Sequence, residues 1–168
     1  MTRGPRYNVK PRRRREGRTN YRRRLNLLRS GKTRIVVRKT LNNTIIQFID
    51  YKEEGDNILV TANSNELKKK YNWTFSTSTT PAAYLTGLLA GKKAKDKGII
   101  ECVLDIGRHP PVKGSKIFAS VKGITDAGIN CSYNEEKIPN EDRIMGKHLD
   151  NSIMSTLNNI KKEIIGGK

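Results

Sequence analysis

Three segments in the first part of the chain have the β-branched, apolar-rich composition of strands. They cover residues 34–39, 44–51 and 57–62, and the intervening residues 41–43 and 54–56 are rich in turn-forming Asn, Asp and Gly. Strands joined by such short connections pair with their neighbours in the chain. The pattern therefore predicts an antiparallel meander of three strands.

A later run of residues, 99–106, is almost entirely apolar. An unbroken run of this length predicts a strand buried on both faces, with helices above and below the sheet. Residues 116–121 are interpreted as a further strand. Residues 122–129 are interpreted as a weak helix, because Gly123 and Gly128 lower its stability.

Two short helices are predicted before residue 80. The first begins at Thr19 or Asn20 and ends at Gly31, and its apolar stripe consists of Tyr21, Leu25 and Leu28. This stripe is expected to dock on the body while the arginines of the helix face outward. The second runs to Tyr71, because Asn63 and Glu66 have the spacing of a capping box.

Two longer helices are predicted as well. Thr80 is the expected cap of one, Pro81 its first residue and Gly98 its stop, with an apolar face formed by Tyr84, Leu85, Leu88 and Leu89. The other ends at Gly166 and Gly167 and repeats apolar residues at Leu149, Ile153, Leu157, Ile160 and Ile164. The order of elements predicts an α/β fold in which one mixed sheet, an antiparallel meander plus parallel strands, is covered by helices.

Charge is concentrated at one end of the chain. The 168 residues include 34 Lys and Arg against 16 Asp and Glu, a net charge of +18. Residues 1–40 hold 16 basic side chains and one acidic one, whereas residues 41–168 hold 18 and 15. We therefore divide the chain into a basic N-terminal arm with a short helix (1–30) and a single α/β domain (31–168), and expect residues 1–20 to be too polar to order themselves alone.

This charge distribution indicates a polyanionic partner. Most of the basic groups in the arm are arginine, whose planar guanidinium donates paired hydrogen bonds to phosphate and stacks on bases. The arm offers little apolar surface for anchoring in a membrane, and no apolar run reaches the length of a membrane span or resembles a signal peptide. The composition thus favours nucleic acid, in the cytoplasm, over a membrane or a small-molecule substrate.

The sequence gives weaker evidence for a phosphate-binding loop or a metal site. Residues 30–33 resemble the end of a phosphate-binding loop, but Asn26 stands where the first glycine belongs, so Gly31 is better explained as a helix cap. Gly87 and Gly91 are expected to allow close packing of a helix on the sheet. The spacing of Cys102, Cys131 and the two histidines suggests no metal site, and Cys102 is expected in the core.

A nuclease is the alternative enzyme class, since paired carboxylates with a divalent metal cleave RNA. The acids near strand ends are Asp50, Asp56, Asp105 and Asp126, and the first strand has none. No clustered pair can be inferred from these positions. A general RNA chaperone is the other alternative, and no cofactor is expected for any of these functions.

Several blocks of sequence together resemble a known family. They include residues 4–7 (GPRY), 12–17 (RRRREG), 30–32 (SGK), 81–89 (PAAYLTGLL), 104–107 (LDIG), 139–144 (PNEDRI) and 146–148 (GKH). The chain resembles the archaeal-type family of large-subunit ribosomal protein eighteen, which binds 5S ribosomal RNA.

The resemblance implies a ribonuclease-H-like layout without catalytic residues. It also implies a structural role in the large ribosomal subunit, where the protein would bind 5S rRNA and help attach it to the large-subunit rRNA in the central protuberance, beside neighbouring ribosomal proteins. The expected RNA contacts are Tyr7, Arg12, Arg13, Arg14, Arg15, Arg18, Arg22 and Arg24.

Overall fold

The computed structural model describes residues 4–5 and 7–166. Arg6 of the first sequence block and Gly167 of the predicted helix stop lie outside the described residues. The strands are β1 (Arg34–Lys39), β2 (Thr44–Lys52), β3 (Gly55–Asn63), β4 (Glu101–Asp105) and β5 (Asn130–Ser132). The helices are α1 (Arg12–Arg15), α2 (Tyr21–Leu28), α3 (Asn65–Tyr71), α4 (Thr80–Asp96), α5 (Lys116–Asp126), α6 (Glu141–Met145) and α7 (Asn151–Gly166), with a 3-10 turn over Glu135–Lys137.

The strands form one mixed sheet in the order β3-β2-β1-β4-β5. β1, β2 and β3 pair antiparallel, with Ile35 opposite Phe48 and Phe48 opposite Val60. β4 and β5 run parallel to β1. The predicted meander and the predicted mixed α/β sheet with helices are confirmed.

The main core lies on one face of the sheet. Side chains alternate along a strand, so Ile35 and Val37 of β1 point to this face, where they join Phe48 and residues of α4, α5 and α7 in one buried cluster. Cys102 and Cys131 are opposite each other on β4 and β5, and both are buried in this cluster as free thiols. The core position predicted for Cys102 is confirmed.

The opposite face of the sheet, which we call the outer face, carries charge. Arg34 alternates with Ile35 along β1 and therefore points to the outer face, yet its side chain is only 1% exposed. The two-sided apolar burial predicted for residues 99–106 is wrong: Cys102 is buried, but Glu101 is exposed and Val103 is half-buried. On this face the buried Arg34 lies beside the buried apolar residues Val36 and Ile49, so the layer is partly charged where a wholly apolar one was expected.

Helices α4 and α5 pack against each other with almost no space between their backbones. A Cβ added at Gly87 would lie 2.1 Å from the carbonyl oxygen of Ser120, and one at Gly123 would lie 2.2 Å from that of Tyr84. The glycines of α4 were expected to allow packing on the sheet. They allow packing on another helix instead, because their bare backbone faces α5.

Residues 116–121 form the first half of α5, so the strand predicted there is wrong. The helix continues to Asp126 and is followed by β5, the strand that the sequence pattern missed. Ile117, Val121 and Ile124 are all buried at helical spacing. The apolar stripe thus crosses the boundary that the prediction placed at residue 122.

The remaining predicted helix signals are largely confirmed. Thr79, one residue before the predicted cap, accepts a hydrogen bond from the Ala82 amide. Glu66 accepts from the Asn63 amide at 3.1 Å, as a capping box requires. α7 buries its predicted stripe except Leu149, which precedes the helix and is exposed. No helix in the described part of the chain has the length and apolar composition to cross a membrane.

Candidate nucleic-acid interface

The arm begins with a cluster of exposed arginines. Arg12–Arg15 form the single turn α1, an element that the sequence did not predict, and all four side chains are exposed. Glu16 is the acidic group beside them and pairs with Arg12 at 3.5 Å and Arg18 at 2.8 Å. The Nε of Arg13 donates to the Thr19 hydroxyl at 2.8 Å. These local contacts fix the arm's path while most of its positive charge faces solvent.

Helix α2 begins where the sequence predicts and ends at Leu28, before the predicted stop at Gly31. The Asn20 side chain accepts a hydrogen bond from the Arg23 amide at 3.2 Å, and Gly31 adopts a positive φ of 65° after the last turn. The C-cap of the helix is Arg29, so Gly31 reverses the chain two residues beyond the cap instead of forming it. The expected docking of the apolar stripe is wrong, because Tyr21 is 41% and Leu25 is 52% exposed.

An ion-pair network attaches α2 to the outer face of the sheet. The guanidinium of Arg24 donates to one oxygen of Asp56 at 2.8 Å, and the same oxygen accepts from Arg34 at 2.8 Å. Arg34 also lies 3.4 Å from a carboxylate oxygen of Asp105. We call Arg24, Arg34, Asp56 and Asp105 the arginine–aspartate network. It places an arginine of α2 facing inward, where the sequence predicts it facing out.

The network shifts the ionisation of its members. The hydrogen bond to Asp56 raises the pKa of Arg24. Burial would raise the pKa of the Asp56 carboxyl, but the hydrogen bonds from Arg24 and Arg34 outweigh burial and lower it. Both groups therefore stay charged at neutral pH, and the attachment of α2 is electrostatic.

A turn after β4 adds basic groups that the sequence analysis missed. Arg108 donates to the carbonyl oxygen of Gly17, which ties the arm to the body. Gly107 has a φ of 62°, and its amide donates to the Asp105 carboxylate at 2.7 Å. Arg38 donates to the backbone carbonyl of Asp105 at 3.0 Å.

His109 lies in the same turn. Its pKa is lowered by burial and by the positive charges of the nearby Lys39 and Arg38.

Three of the predicted contact residues present their guanidinium groups without any competing contact. Among the described residues, the side chains of Arg14, Arg15 and Arg22 have no hydrogen-bond or salt-bridge partner, and all three are exposed. Tyr7 is 46% exposed. Arg12, Arg13 and Arg18 bond within the arm, and Arg24 bonds to the body. The predicted arginines thus include three exposed guanidinium groups with no partner among the described residues and four that hold the arm and α2 in place.

The four candidate carboxylates all bond to protein groups. Asp56 and Asp105 converge on Arg34, Asp50 accepts from the Thr33 hydroxyl at 2.7 Å, and Asp126 accepts from the Tyr84 hydroxyl at 2.8 Å. Burial and the Asp126 bond raise the pKa of Tyr84. The only convergent pair of the four surrounds an arginine cation on the outer face of the sheet.

Comparison with known proteins decides the family. Residues 5–100 match the model for ribosomal large subunit proteins 60S L5 and 50S L18. The chain belongs to this family. Three relatives carry the name large ribosomal subunit protein uL18: those of Korarchaeum cryptofilum, Aeropyrum pernix and Staphylothermus marinus are 52%, 49% and 50% identical over 149 residues. These matches cover 89% of the present chain and 76%, 70% and 74% of the relatives.

Family membership settles the broad role of the protein. It is a structural, non-enzymatic component of the large ribosomal subunit, and it acts in the ribosome of the cytoplasm beside ribosomal RNA and other ribosomal proteins. The nuclease alternative is therefore wrong. All eight predicted RNA-contact residues fall inside the matched range 5–100.

Proposed function

We propose that the protein binds 5S rRNA and helps attach it to the large-subunit rRNA in the central protuberance. The observation that carries this proposal is the row of exposed guanidinium groups on α1 and α2, which is tied to the body at Asp56 and at Arg108. The resemblance found in the sequence supplies the identity of the RNA. The geometry supports a rigidly mounted phosphate-binding surface.

Binding of this kind rests on charge neutralisation and on shape. A-form RNA hides its base edges in a deep, narrow major groove and presents backbone phosphates and 2′-hydroxyls on its accessible surfaces. Guanidinium groups match phosphate oxygens with paired hydrogen bonds. Arg14, Arg15 and Arg22 are the side chains best placed for such contacts, because no protein group occupies them in the described structure.

The salt dependence of binding measures how many phosphates the arm contacts. With about eight phosphates neutralised, log K is expected to fall against log salt with a slope of about −6 to −7, at about 0.7 to 0.9 per contact. The variant R14A/R15A/R22A is expected to lose about 2 to 3 of that slope, since three contacts are removed. Filter binding of labelled 5S rRNA over a series of salt concentrations gives both values.

A matched control removes three exposed lysines of the body, K52A/K68A/K69A, and is expected to leave the slope unchanged. Competition with an unrelated RNA of equal length tests the identity of the ligand, and 5S rRNA is expected to compete better. Equal competition would favour the general RNA chaperone over our proposal. A slope shallower than about −2 for the unaltered protein would remove the arm as the main contact.

A further inference from the structure

A cleft of about 580 Å³ lies between α2 and the turn that follows β4. Arg13 and Arg18 of the arm border one side, and Arg38, Arg108 and His109 border the other. Asn26 of α2 lines it as well and is exposed. None of Arg38, Arg108, His109 and Asn26 belongs to the contact set predicted from the sequence.

The walls of the cleft are held in place before any ligand arrives. Arg24 fixes α2 to the sheet through Asp56, and Arg108 fixes the arm through Gly17. Asp105 fixes the turn, because it accepts from the Gly107 amide at 2.7 Å and its carbonyl accepts from Arg38 at 3.0 Å. A site formed in advance loses less conformational entropy on binding than a flexible one.

The floor and the rim of the cleft differ in polarity. Leu27, Leu104 and Ile106 line it and are half-buried. The rim consists mainly of guanidinium groups. Four of them donate in-plane N–H groups to other protein groups: those of Arg13, Arg24, Arg38 and Arg108. Hydrogen bonding in the plane leaves the flat faces of a guanidinium available for stacking.

This combination fits one kind of ligand. A phosphate backbone alone would need the cations but no apolar floor, and a lipid or apolar peptide would need no ring of arginines. A nucleotide has an apolar flat base and an anionic phosphate, and the cleft lies within the range of about 300 to 1,000 Å³ of small-ligand pockets. RNA-binding proteins read sequence chiefly at unstacked bases of loops and bulges.

We propose that the cleft receives a single unstacked nucleotide of the bound RNA, with its base over the apolar floor and its phosphate among the arginines of the rim. The proposal rests on the RNA binding proposed above and adds a means of selecting one RNA. The arm's phosphate contacts carry no sequence information, whereas a base held in a fitted cleft does.

The ionisation of His109 agrees with this role. Burial, together with the charges of Lys39 and Arg38, lowers the pKa of His109, so its imidazole is neutral at neutral pH. A neutral ring stacks on a base and offers one donor and one acceptor to the base edge. The positive charge needed for the phosphate comes from the arginines.

A substitution at Asn26, which lines the cleft, tests the proposal without changing any charge. In the full chain, N26W is expected to fill the cleft and lower affinity for 5S rRNA about 10-fold or more, since one stacked base contributes about 1 to 3 kcal/mol. N159W, the same substitution at an exposed residue of α7 outside the cleft, is expected to stay within about 2-fold of the unaltered protein. The salt slope of both variants is expected to stay the same, because no phosphate contact is removed.

Chemical probing of the RNA supplies a second, independent measurement. With saturating protein, we expect one loop or bulge base of 5S rRNA to be protected from base-specific reagents, to regain reactivity with N26W, and to stay protected with R14A/R15A/R22A. Circular dichroism and thermal melting of N26W are expected to match the unaltered protein, because residue 26 is exposed.

Wild-type affinity of N26W, or a protection pattern that N26W leaves unchanged, would overturn the cleft proposal. Failure of the proposed 5S function has a different signature. In that case the unaltered protein would show no preference for 5S rRNA over the unrelated RNA of equal length, whatever the affinity of N26W.

Discussion

At the scale of single residues, Asp56 joins α2 to the body of the protein. One of its oxygens accepts hydrogen bonds from both Arg24 and Arg34, at 2.8 Å each. Arg34 is 1% exposed, so its charge depends on carboxylate partners for compensation. Losing Asp56 leaves Arg34 with Asp105 alone, at the longer distance of 3.4 Å.

We therefore expect D56N to destabilise the protein by about 2 kcal/mol at pH 7, less than the about 3 to 5 kcal/mol for breaking a fully buried pair. The pKa of Asp56 is lowered in the folded protein from its ordinary 3.8. Its contribution is thus fully present above pH 3.8 and is lost as the pH falls through the lower folded pKa. Urea unfolding at pH 7 and at about pH 3 gives the difference.

D96N is the matched control, because Asp96 is exposed at the end of α4 and, among the described residues, has no salt bridge. Its free energy of unfolding is expected to stay within about 0.5 kcal/mol of the unaltered protein. A deficit of D56N that is as large at pH 3 as at pH 7 would contradict the electrostatic explanation.

The role of Arg24 shows what the sequence can and cannot predict about the site. The sequence predicts a dense set of arginines in the arm and on its short helix, and the structure places those side chains mostly at the surface. It does not distinguish Arg24 from its neighbours, because its partner Asp56 lies 32 positions away and only the folded sheet brings them together. Arg38, Arg108 and His109 were missed for the same reason. Their role in RNA binding, like that of Arg24, stays a prediction.

At the scale of elements, the contact between α4 and α5 depends on the absence of side chains. A methyl group at Gly87 would lie 2.1 Å from the Ser120 carbonyl oxygen, a backbone atom that cannot move without moving α5. Overpacking of a core costs about 1 to 3 kcal/mol or more, and here the whole helix must shift. The two helices also carry much of the core, including Leu88 and Ile124.

G87A is accordingly expected to lower the free energy of unfolding by at least about 3 kcal/mol, although alanine has the higher helix propensity. The matched control is G166A at the end of α7, where an added Cβ meets nothing within 4 Å, and its stability is expected to be unchanged or slightly higher. Thermal melting of both variants measures the contrast. Equal melting temperatures would show that α4 and α5 tolerate a wider separation than the structure has.

The misassigned half of α5 has a physical explanation at this scale. Residues 116–121 contain Ile117, Phe118 and Val121, whose types favour strands, and Gly123 lowers the intrinsic helix propensity of the second half. Gly123 is nevertheless required where it is, since its backbone faces the Tyr84 carbonyl oxygen. Local propensity suggests a break, and tertiary packing overrides it. The meander, α4 and α7 were predictable because their turns, caps and apolar stripes all agree.

At the scale of the whole molecule, we assign affinity for RNA to the basic arm and selection of the RNA to the body. The net charge of residues 1–40 is +15 and that of residues 41–168 is +3, so long-range attraction of RNA arises almost entirely at one end. The body contributes the sheet that mounts α2 and the turn that borders the cleft. Phosphate contacts supply binding strength, and a base held in a fitted cleft supplies selectivity.

Two truncations separate these contributions. Removing residues 1–29 is expected to abolish most RNA affinity while the body stays folded, because Arg34 keeps both Asp56 and Asp105 as partners after Arg24 is lost. Removing residues 1–19 keeps α2 and its bond to Asp56, and is expected to retain part of the salt slope through Arg22 and Arg23. Circular dichroism checks folding and filter binding gives the slopes.

If the protein that lacks residues 1–29 unfolds, residues 1–30 are part of the domain's structure and the boundary at residue 30 is wrong. If it folds and still binds 5S rRNA as tightly as the full chain, the arm is dispensable and the body must hold the principal RNA contacts.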